Sequence, residues 1–333
     1  MIVYYKKLAN LLMVAGAALG AMLGLIHYRG NILTNESKVA IFVFALFIFS
    51  GIIVFRFIAA IVCSKKLKAI QSRLYVDADP KGFLEEFEAV NAKVPKNLAE
   101  YANGQNWISY AKEALGDYEG AWNAIKDLKP NELKIHALTT SALIVNQKAN
   151  LRILMRDFAA AGDQIDDLRH LKELAQNRAR MLCSNLEQQI KVQENRIAAA
   201  MGKEDTDIKY LEEEIQYASN PIYKKEMQVE VAEFYLRRSG EDKEYFEKAM
   251  NLLKEVVEDR KGLYTEKRAD ELMKNPDSVF VFVEDNDISA DHGAQDEATA
   301  GTDVTAVASE NQTSENDTLT SADVVSEASE VQS

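Results

Sequence analysis

Two long apolar stretches near the N-terminus constrain this chain more than any other feature. Residues 8–26 carry no charge, and a second apolar run, interrupted only by Arg56, ends at Cys63. As an α-helix with a rise of about 1.5 Å per residue, the second run is roughly 37 Å long, enough to cross a bilayer with some tilt. The sequence therefore predicts a transmembrane hairpin over residues 1–63, with helices at about 8–27 and 39–63 and the lipid bilayer as partner.

A cleaved signal peptide is the alternative for the first stretch. Lys6 and Lys7 would form its basic region, and small residues near Ala18 or Gly20 would form the cleavage site. The apolar run exceeds the roughly 7–15 residues of an ordinary signal peptide, which favours a retained helix. Cleavage would leave the second helix and its orientation unchanged.

Basic residues beside the two helices predict the orientation of the hairpin. Two lysines precede the first helix and four basic residues follow the second, whereas the connecting loop has Arg29 and Lys38. Cytoplasmic flanks carry the excess of Lys and Arg, so we expect a multi-pass protein with both termini and the helical domain in the cytoplasm. The cytoplasmic flanking residues are Lys6, Lys7, Lys65, Lys66, Lys68 and Arg73.

Three glycines repeat every four residues in the first helix, at Gly16, Gly20 and Gly24. They share one face and leave a shallow groove where another helix approaches closely. Two partners fit this groove. One is the phenylalanine-rich second helix of the same chain, and the other is the same face of a second copy, which would make a homo-oligomer.

The segment after the hairpin, residues 64–276, has apolar residues at helical spacing and few prolines. In the sequence LGDYEGAWNAI, Gly116 permits a tight turn and Asp117 caps a new helix, while Ala121 allows close packing and Tyr118 fills the seam. These residues resemble the tetratricopeptide repeat (TPR). The resemblance implies paired helices stacked into a TPR-like α-solenoid that binds proteins on a concave surface.

The rest of the segment departs from the family pattern. Gln105 occupies the early large position of the repeat, and the turn glycines of two weaker echoes are Gly162 and Gly240. Their uneven distances from Gly116 exclude a regular array of about 34 residues. Between them, stretches without proline predict a long antiparallel helical hairpin with arms at residues 131–161 and 163–201.

Four residues in the first helix of the TPR-like unit are predicted to line a partner-binding groove: Tyr101, Asn103, Trp107 and Tyr110. The resemblance implies this role, because the first helix of such a repeat faces the concave surface and aromatic side chains are strong anchors. The same residues also suit the core of a helical domain, and both interpretations stay open.

Acidic residues are concentrated at the C-terminus. Residues 284–333 contain 13 of the 52 acidic residues and no Lys or Arg, which leaves 39 acidic against 39 basic residues in the rest of the chain. This composition predicts that residues 277–333 form an acidic disordered tail. The apolar run at 279–283 has two interpretations, packing on the solenoid or docking by strand addition. The neutral body predicts no nucleic-acid partner.

No sequence motif predicts catalysis. The four histidines are scattered without metal-ligand spacing, the two cysteines form no CxxC pair, and neither a phosphate-binding loop nor a GxSxG elbow occurs. We therefore expect a protein that is not an enzyme and that binds neither a cofactor nor a metal.

The sequence supports one functional hypothesis and one alternative. The hypothesis is an all-α, membrane-anchored adaptor or scaffold, in which the hairpin is followed by an irregular TPR-like solenoid that binds an unidentified protein partner. The alternative is a small accessory subunit of a transporter or channel that acts through its hairpin. Only the glycine face and Arg56 favour this alternative, and an arginine so near a helix end more often extends to the lipid headgroups.

Overall fold

Helices account for the regular structure of the described residues, 5–28, 37–129 and 135–279, in a computed structural model. The prediction of an all-α protein with two apolar N-terminal helices is confirmed. The predicted tail beyond residue 279 lies outside the described residues. The helices are α1 (Lys6–Tyr28), α2 (Ser37–Tyr75), α3 (Pro80–Asn91), α4 (Ala99–Ala114), α5 (Tyr118–Ile125), α6 (Ile135–Leu154), α7 (Phe158–Ala175), α8 (Arg180–Ala200), α9 (Ile208–Tyr217), α10 (Pro221–Arg237), α11 (Lys243–Glu258), α12 (Tyr264–Lys274) and a 3-10 turn (Pro276–Val279).

The helices α1 and α2 are each long and apolar enough to cross a membrane, and they pack against each other along the glycine face. A Cβ atom on Gly16 would lie 2.6 Å from the carbonyl oxygen of Gly51, and one on Gly20 would overlap the carbonyl oxygen of Phe47. At Gly24 a Cβ would meet the ring of Phe44. The glycine face is therefore filled by α2 of the same chain, and Gly51 is the small residue of α2 that permits the contact.

The second apolar helix continues well past the predicted end of the hairpin. With 39 residues, α2 is about 58 Å long and ends at Tyr75. Its last turns bury Leu67, Ile70 and Leu74 in an apolar cluster with side chains of α3 and α4. We call residues 64–75 the stalk. The predicted boundary between hairpin and helical domain thus falls inside one continuous helix.

From the stalk onward, helices form consecutive antiparallel pairs. The pairs are α2–α3, α4–α5, α6–α7, α8–α9 and α10–α11, and α12 follows them. The first helices of successive pairs contact one another in the order α4, α6, α8, α10, and α12 packs on α10. We call this irregular succession of helical pairs the stack. Its first helix, α2, includes the stalk.

One turn design joins the helices of the first three pairs. A residue with left-handed backbone geometry lies between the two helices, and the aspartate after it accepts a hydrogen bond from a backbone N–H in the first turn of the second helix. These turn residues are Ala78 with Asp79, Gly116 with Asp117, and Arg156 with Asp157. Gly162, by contrast, lies inside α7, so its assignment to a turn was wrong.

Three helices occupy the region where two long arms were expected. The turn at Arg156 separates α6 from α7, and a second break between Ala175 and Arg180 separates α7 from α8. The apolar residues of α8 fold back on α7, where Leu186 and Leu168 belong to one buried cluster. The second arm is therefore two helices, because burial of this apolar face favours a reversal over a single extended helix.

Candidate functional site

The four residues predicted to line a groove all lie on α4, and three of them pack against the apolar cluster of the stalk. Tyr101, Trp107 and Tyr110 contact this cluster as half-buried side chains. The Trp107 ring lies 5.4 Å from the ring of Phe87, centroid to centroid. Asn103 is half-buried as well. The structure thus places these aromatic residues in the packing between α3, α4 and the stalk.

The far end of the stack closes over the same side of α4. Tyr110 stacks on Tyr75 of the stalk with ring centroids 5.9 Å apart, and its Oη accepts a hydrogen bond of 2.9 Å from Nδ2 of Asn220. Ile222 at the start of α10 and Leu263 before α12 belong to the apolar cluster around α4. Burial raises the pKa of Tyr110 well above its ordinary value, and nearby carboxylates add to this shift.

Two of the three predicted turn and packing residues, Gly116 and Tyr118, take part in this closure. Gly116 has a φ of +85°, and a Cβ atom there would lie 2.5 Å from Cδ2 of Tyr264 in α12. Tyr118 meets Tyr264 edge to face, with centroids 5.5 Å apart. Ala121 is fully buried among residues of α4, α5 and α6. The contact between the α4–α5 turn and α12 therefore requires a residue without a side chain at Gly116.

A buried arginine links the central helices of the stack. Every N–H donor of the Arg196 guanidinium on α8 has an acceptor, and its side chain is 1 % exposed. Nε and Nη2 donate to Glu230 at 2.7 and 2.5 Å, and Nη2 also donates to Glu226 at 2.5 Å. Nη1 donates to Asn150 of α6 and, at 3.2 Å, to Gln193. One cation therefore joins α6, α8 and α10.

A third carboxyl group extends this network to α4. Oε1 of Glu113 accepts a hydrogen bond of 2.7 Å from Asn150, and Oε2 accepts one from Gln147. Glu113 also shares a side-chain hydrogen bond with Glu226. Burial raises the pKa of Glu113 well above its ordinary value and the charge of Glu226 raises it further, although Arg196 opposes the shift. A protonated Glu113 donates to Glu226, which relieves the excess of carboxylates over one arginine.

Replacing Glu113 with glutamine should flatten the dependence of folding stability on pH. The raised pKa means that folded Glu113 binds its proton more tightly than unfolded Glu113. This contribution to stability is complete below the unfolded pKa near 4.5 and is lost as pH rises through the folded pKa. Each tenfold difference in proton affinity between the two states is worth about 1.4 kcal/mol. Chemical unfolding in detergent at pH 5 and pH 8 should show a smaller loss of stability for Glu113→Gln than for wild type.

The exposed Glu213 on α9 supplies the control for this measurement. Glu213→Gln removes the same charge from a solvated side chain and should leave the wild-type dependence on pH unchanged. If Glu113→Gln and the control lose equal stability between pH 5 and pH 8, Glu113 does not carry the bound proton.

A second ion cluster lies at the edge of the stack where the first helices of successive pairs end. Glu233 of α10 accepts hydrogen bonds from Arg156 at 2.7 Å, from Arg237 at 3.4 Å and from Arg268 of α12 at 2.9 Å. Arg237 also donates to the last backbone carbonyls of α8. Burial lowers the pKa of Arg237. The arginine at the left-handed turn position thus bridges the α6–α7 turn to α10.

Sequence analysis did not identify either ion cluster. A partial signal exists, because Glu226, Glu230 and Glu233 follow one another at spacings of four and three residues and so share one face of α10. Their partners come from helices far away in the sequence, and Arg196 is 30 residues from Glu226. Spacing along the chain therefore indicates the acidic face but not the arginines that contact it.

Among the residues that the structure describes, no group of three or more His, Cys, Asp or Glu side chains is arranged to hold a metal ion. Comparisons with family models, with curated proteins and with solved structures find no match. The resemblance to the TPR consequently stays a prediction that depends on the residues around Gly116.

Proposed function

We propose that this protein is a non-catalytic adaptor that α1 and α2 anchor in a membrane and whose helical stack binds a protein partner. In this proposal both termini and the stack are cytoplasmic, as the flanking basic residues predict. The observation that carries the proposal is the continuity of α2, which is an apolar helix of membrane length and also the first helix of the stack.

This continuity matters because it fixes the position of the stack. A flexible linker would let a soluble domain rotate freely, whereas the stalk buries Leu67 and Leu74 in the core of the stack. The buried network at Arg196 then holds successive helices in one arrangement. A rigid helical surface at a set height above a bilayer suits a protein that presents or gathers partners.

An anchor exchange separates this proposal from a role as an accessory subunit of a transporter. A proximity-labelling enzyme is fused after Ser333, and residues 1–61 are replaced by an unrelated two-helix anchor of equal length and orientation. The partner set is defined as the proteins labelled by the full-length chain but not by the foreign anchor alone. An adaptor should keep this set after the exchange, because the stalk and the stack are retained.

Loss of the partner set after the exchange would favour action through the hairpin and would contradict the adaptor. Arg56→Leu gives a milder version of the same comparison, because Arg56 is an exposed side chain of α2 that makes no contribution to the described core of the stack. An adaptor should label the same proteins with and without this substitution.

A further inference from the structure

One exposed stripe of α2 changes from apolar to cationic at the end of the apolar run. Val54, Ile58, Ile61, Lys65 and Lys68 follow one another at spacings of four, three, four and three residues, so they share one helix face. Val54, Ile58 and Ile61 are 50, 39 and 42 % exposed, and both lysines are exposed as well. The change occurs within one turn, between Ile61 and Lys65.

The opposite face of α2 is buried along the same length. Ala59 and Cys63 are fully buried, and Leu67 and Leu74 continue that face into the core of the stack. The lysines of the stripe therefore lie on the face of α2 that carries its exposed apolar residues, which is the face that would meet lipid.

The start of α1 brings further lysines to this level. Nζ of Lys66 lies 5.8 Å from the centre of the Tyr5 ring, and Tyr5 packs against the apolar cluster of the stalk. Lys6 and Lys7 follow directly and are exposed. Two segments that are distant in the sequence thus join in one basic patch, which we call the lysine collar. Its members are Lys6, Lys7, Lys65, Lys66 and Lys68.

Acidic residues do not offset this charge within α2 itself. The sequence has no Asp or Glu between Ser37 and Val76. On the neighbouring α3, Glu86 forms an ion pair of 2.9 Å with Arg73, farther along the stalk. The collar is therefore a concentrated positive charge at the base of the stalk.

We propose that the lysine collar binds the phosphate groups of anionic phospholipids. The inference rests on the proposed membrane position of α1 and α2, because that position puts the collar at the depth of the headgroups. Lysine ammonium groups on flexible stems suit headgroup phosphates, and clusters of basic residues beside a transmembrane helix attract an anionic leaflet. Since α2 is continuous with the stack, bound headgroups would also set the depth and tilt of the stack.

Lipid retention by the full-length protein tests this proposal. The protein is purified in detergent, mixed with phosphatidylglycerol or with phosphatidylcholine of the same acyl chains, and bound lipids are counted by native mass spectrometry. Wild type should retain several-fold more phosphatidylglycerol than phosphatidylcholine. Substituting glutamine for Lys65, Lys66 and Lys68 together should bring the retention of the two lipids close to equal, because the charges that meet the phosphate are removed.

A matched triple substitution with glutamine at Lys203, Lys209 and Lys254 removes three exposed lysines away from α2 and should keep the wild-type preference. Equal retention of both lipids by wild type, or an unchanged preference in the collar variant, would overturn the proposal. Displacement of the lipid by inorganic phosphate, but not by chloride at equal ionic strength, would indicate a site for free anions instead. If the collar variant fails to fold, substitution of Lys6 and Lys7 gives the same test in α1.

The outcome is independent of any protein partner. Loss of lipid preference with an intact partner set would leave the adaptor role standing, and the reverse result would leave the lipid site standing.

Discussion

Replacing Arg196 with alanine is expected to lower the free energy of unfolding by about 3–5 kcal/mol, the range for breaking a buried ion pair by removal of one partner. The substitution leaves Glu226 and Glu230 without their cation in the centre of the stack. It also removes the hydrogen bonds that join α8 to Asn150 of α6. Chemical unfolding of the full-length protein in detergent, followed by circular dichroism, measures the loss.

Arg169 on α7 provides the matched control for this prediction. Its guanidinium contacts Asp166 and Glu194 but is half exposed, so Arg169→Ala should cost less than about 1 kcal/mol. Equal losses for the two alanine variants would show that the network at Arg196 does not hold the stack together.

A compensating variant separates the loss of the network from a general loss of packing. In Arg196→Met combined with Glu226→Gln and Glu230→Gln, the cation and the two carboxylates that contact it are replaced together. Such replacements of a complete buried ion group are often neutral or stabilising, so the triple variant should recover most of the stability that Arg196→Ala loses. A triple variant as unstable as Arg196→Ala would contradict an electrostatic origin of the effect.

Gly116→Ala is expected to cost about 2–5 kcal/mol. The left-handed backbone at this position accounts for about 1–2 kcal/mol with any residue that has a Cβ atom. The added Cβ would also lie 2.5 Å from Cδ2 of Tyr264, and relieving such overpacking typically costs about 1–3 kcal/mol. The unfolding transition should therefore move to a markedly lower denaturant concentration.

Gly162→Ala should have the opposite effect on stability. Gly162 lies inside α7, and a Cβ there would meet no atom within 4 Å. Alanine in a helix interior is more stable than glycine by about 0.5–1 kcal/mol.

A second background separates the two costs of Gly116→Ala. In a Tyr264→Ala variant, Gly116→Ala should cost only the part that comes from the left-handed backbone. A destabilised Gly162→Ala, or an equal cost of Gly116→Ala in both backgrounds, would contradict this account of the turn.

The two apolar N-terminal helices were predictable because an uncharged run of this length is typical of a helix long enough to cross a bilayer. The end of α2 was harder to place. Lys65, Lys66 and Lys68 mark the end of the apolar run, and helix formation itself does not stop at a change in polarity. Burial of Leu67 and Leu74 against α3 and α4 is the tertiary interaction that stabilises the last turns of the helix as far as Tyr75.

The turns between helices could be predicted only in part from the positions of the glycines. Gly116 was identified because glycine commonly takes left-handed geometry, and the aspartate after it was recognised as a cap. Arg156 takes the same geometry without being glycine, so its turn was missed and Gly162 was chosen instead. The aspartate that follows each turn is the more general signal in this chain.

The aromatic residues of α4 were singled out by the resemblance to the TPR, but that resemblance could not separate a groove from a core. The decision depends on which helices cover α4, and those helices lie far along the chain, as the contact of Tyr110 with Asn220 shows. The groove at these residues stays a prediction, whereas their packing against the stalk follows from the fold.

The contact between Tyr110 and Asn220 also sets an order for biosynthesis. The two residues are 110 positions apart, and Ile222 and Leu263 complete the apolar cluster around α4. At a synthesis rate of about 5–20 residues per second, α4 waits roughly 5–20 s for α10 to leave the ribosome. The stack therefore closes only after α1 and α2 have been made, and during that interval the apolar cluster around α4 lacks the cover that Ile222 and Leu263 give it in the folded chain.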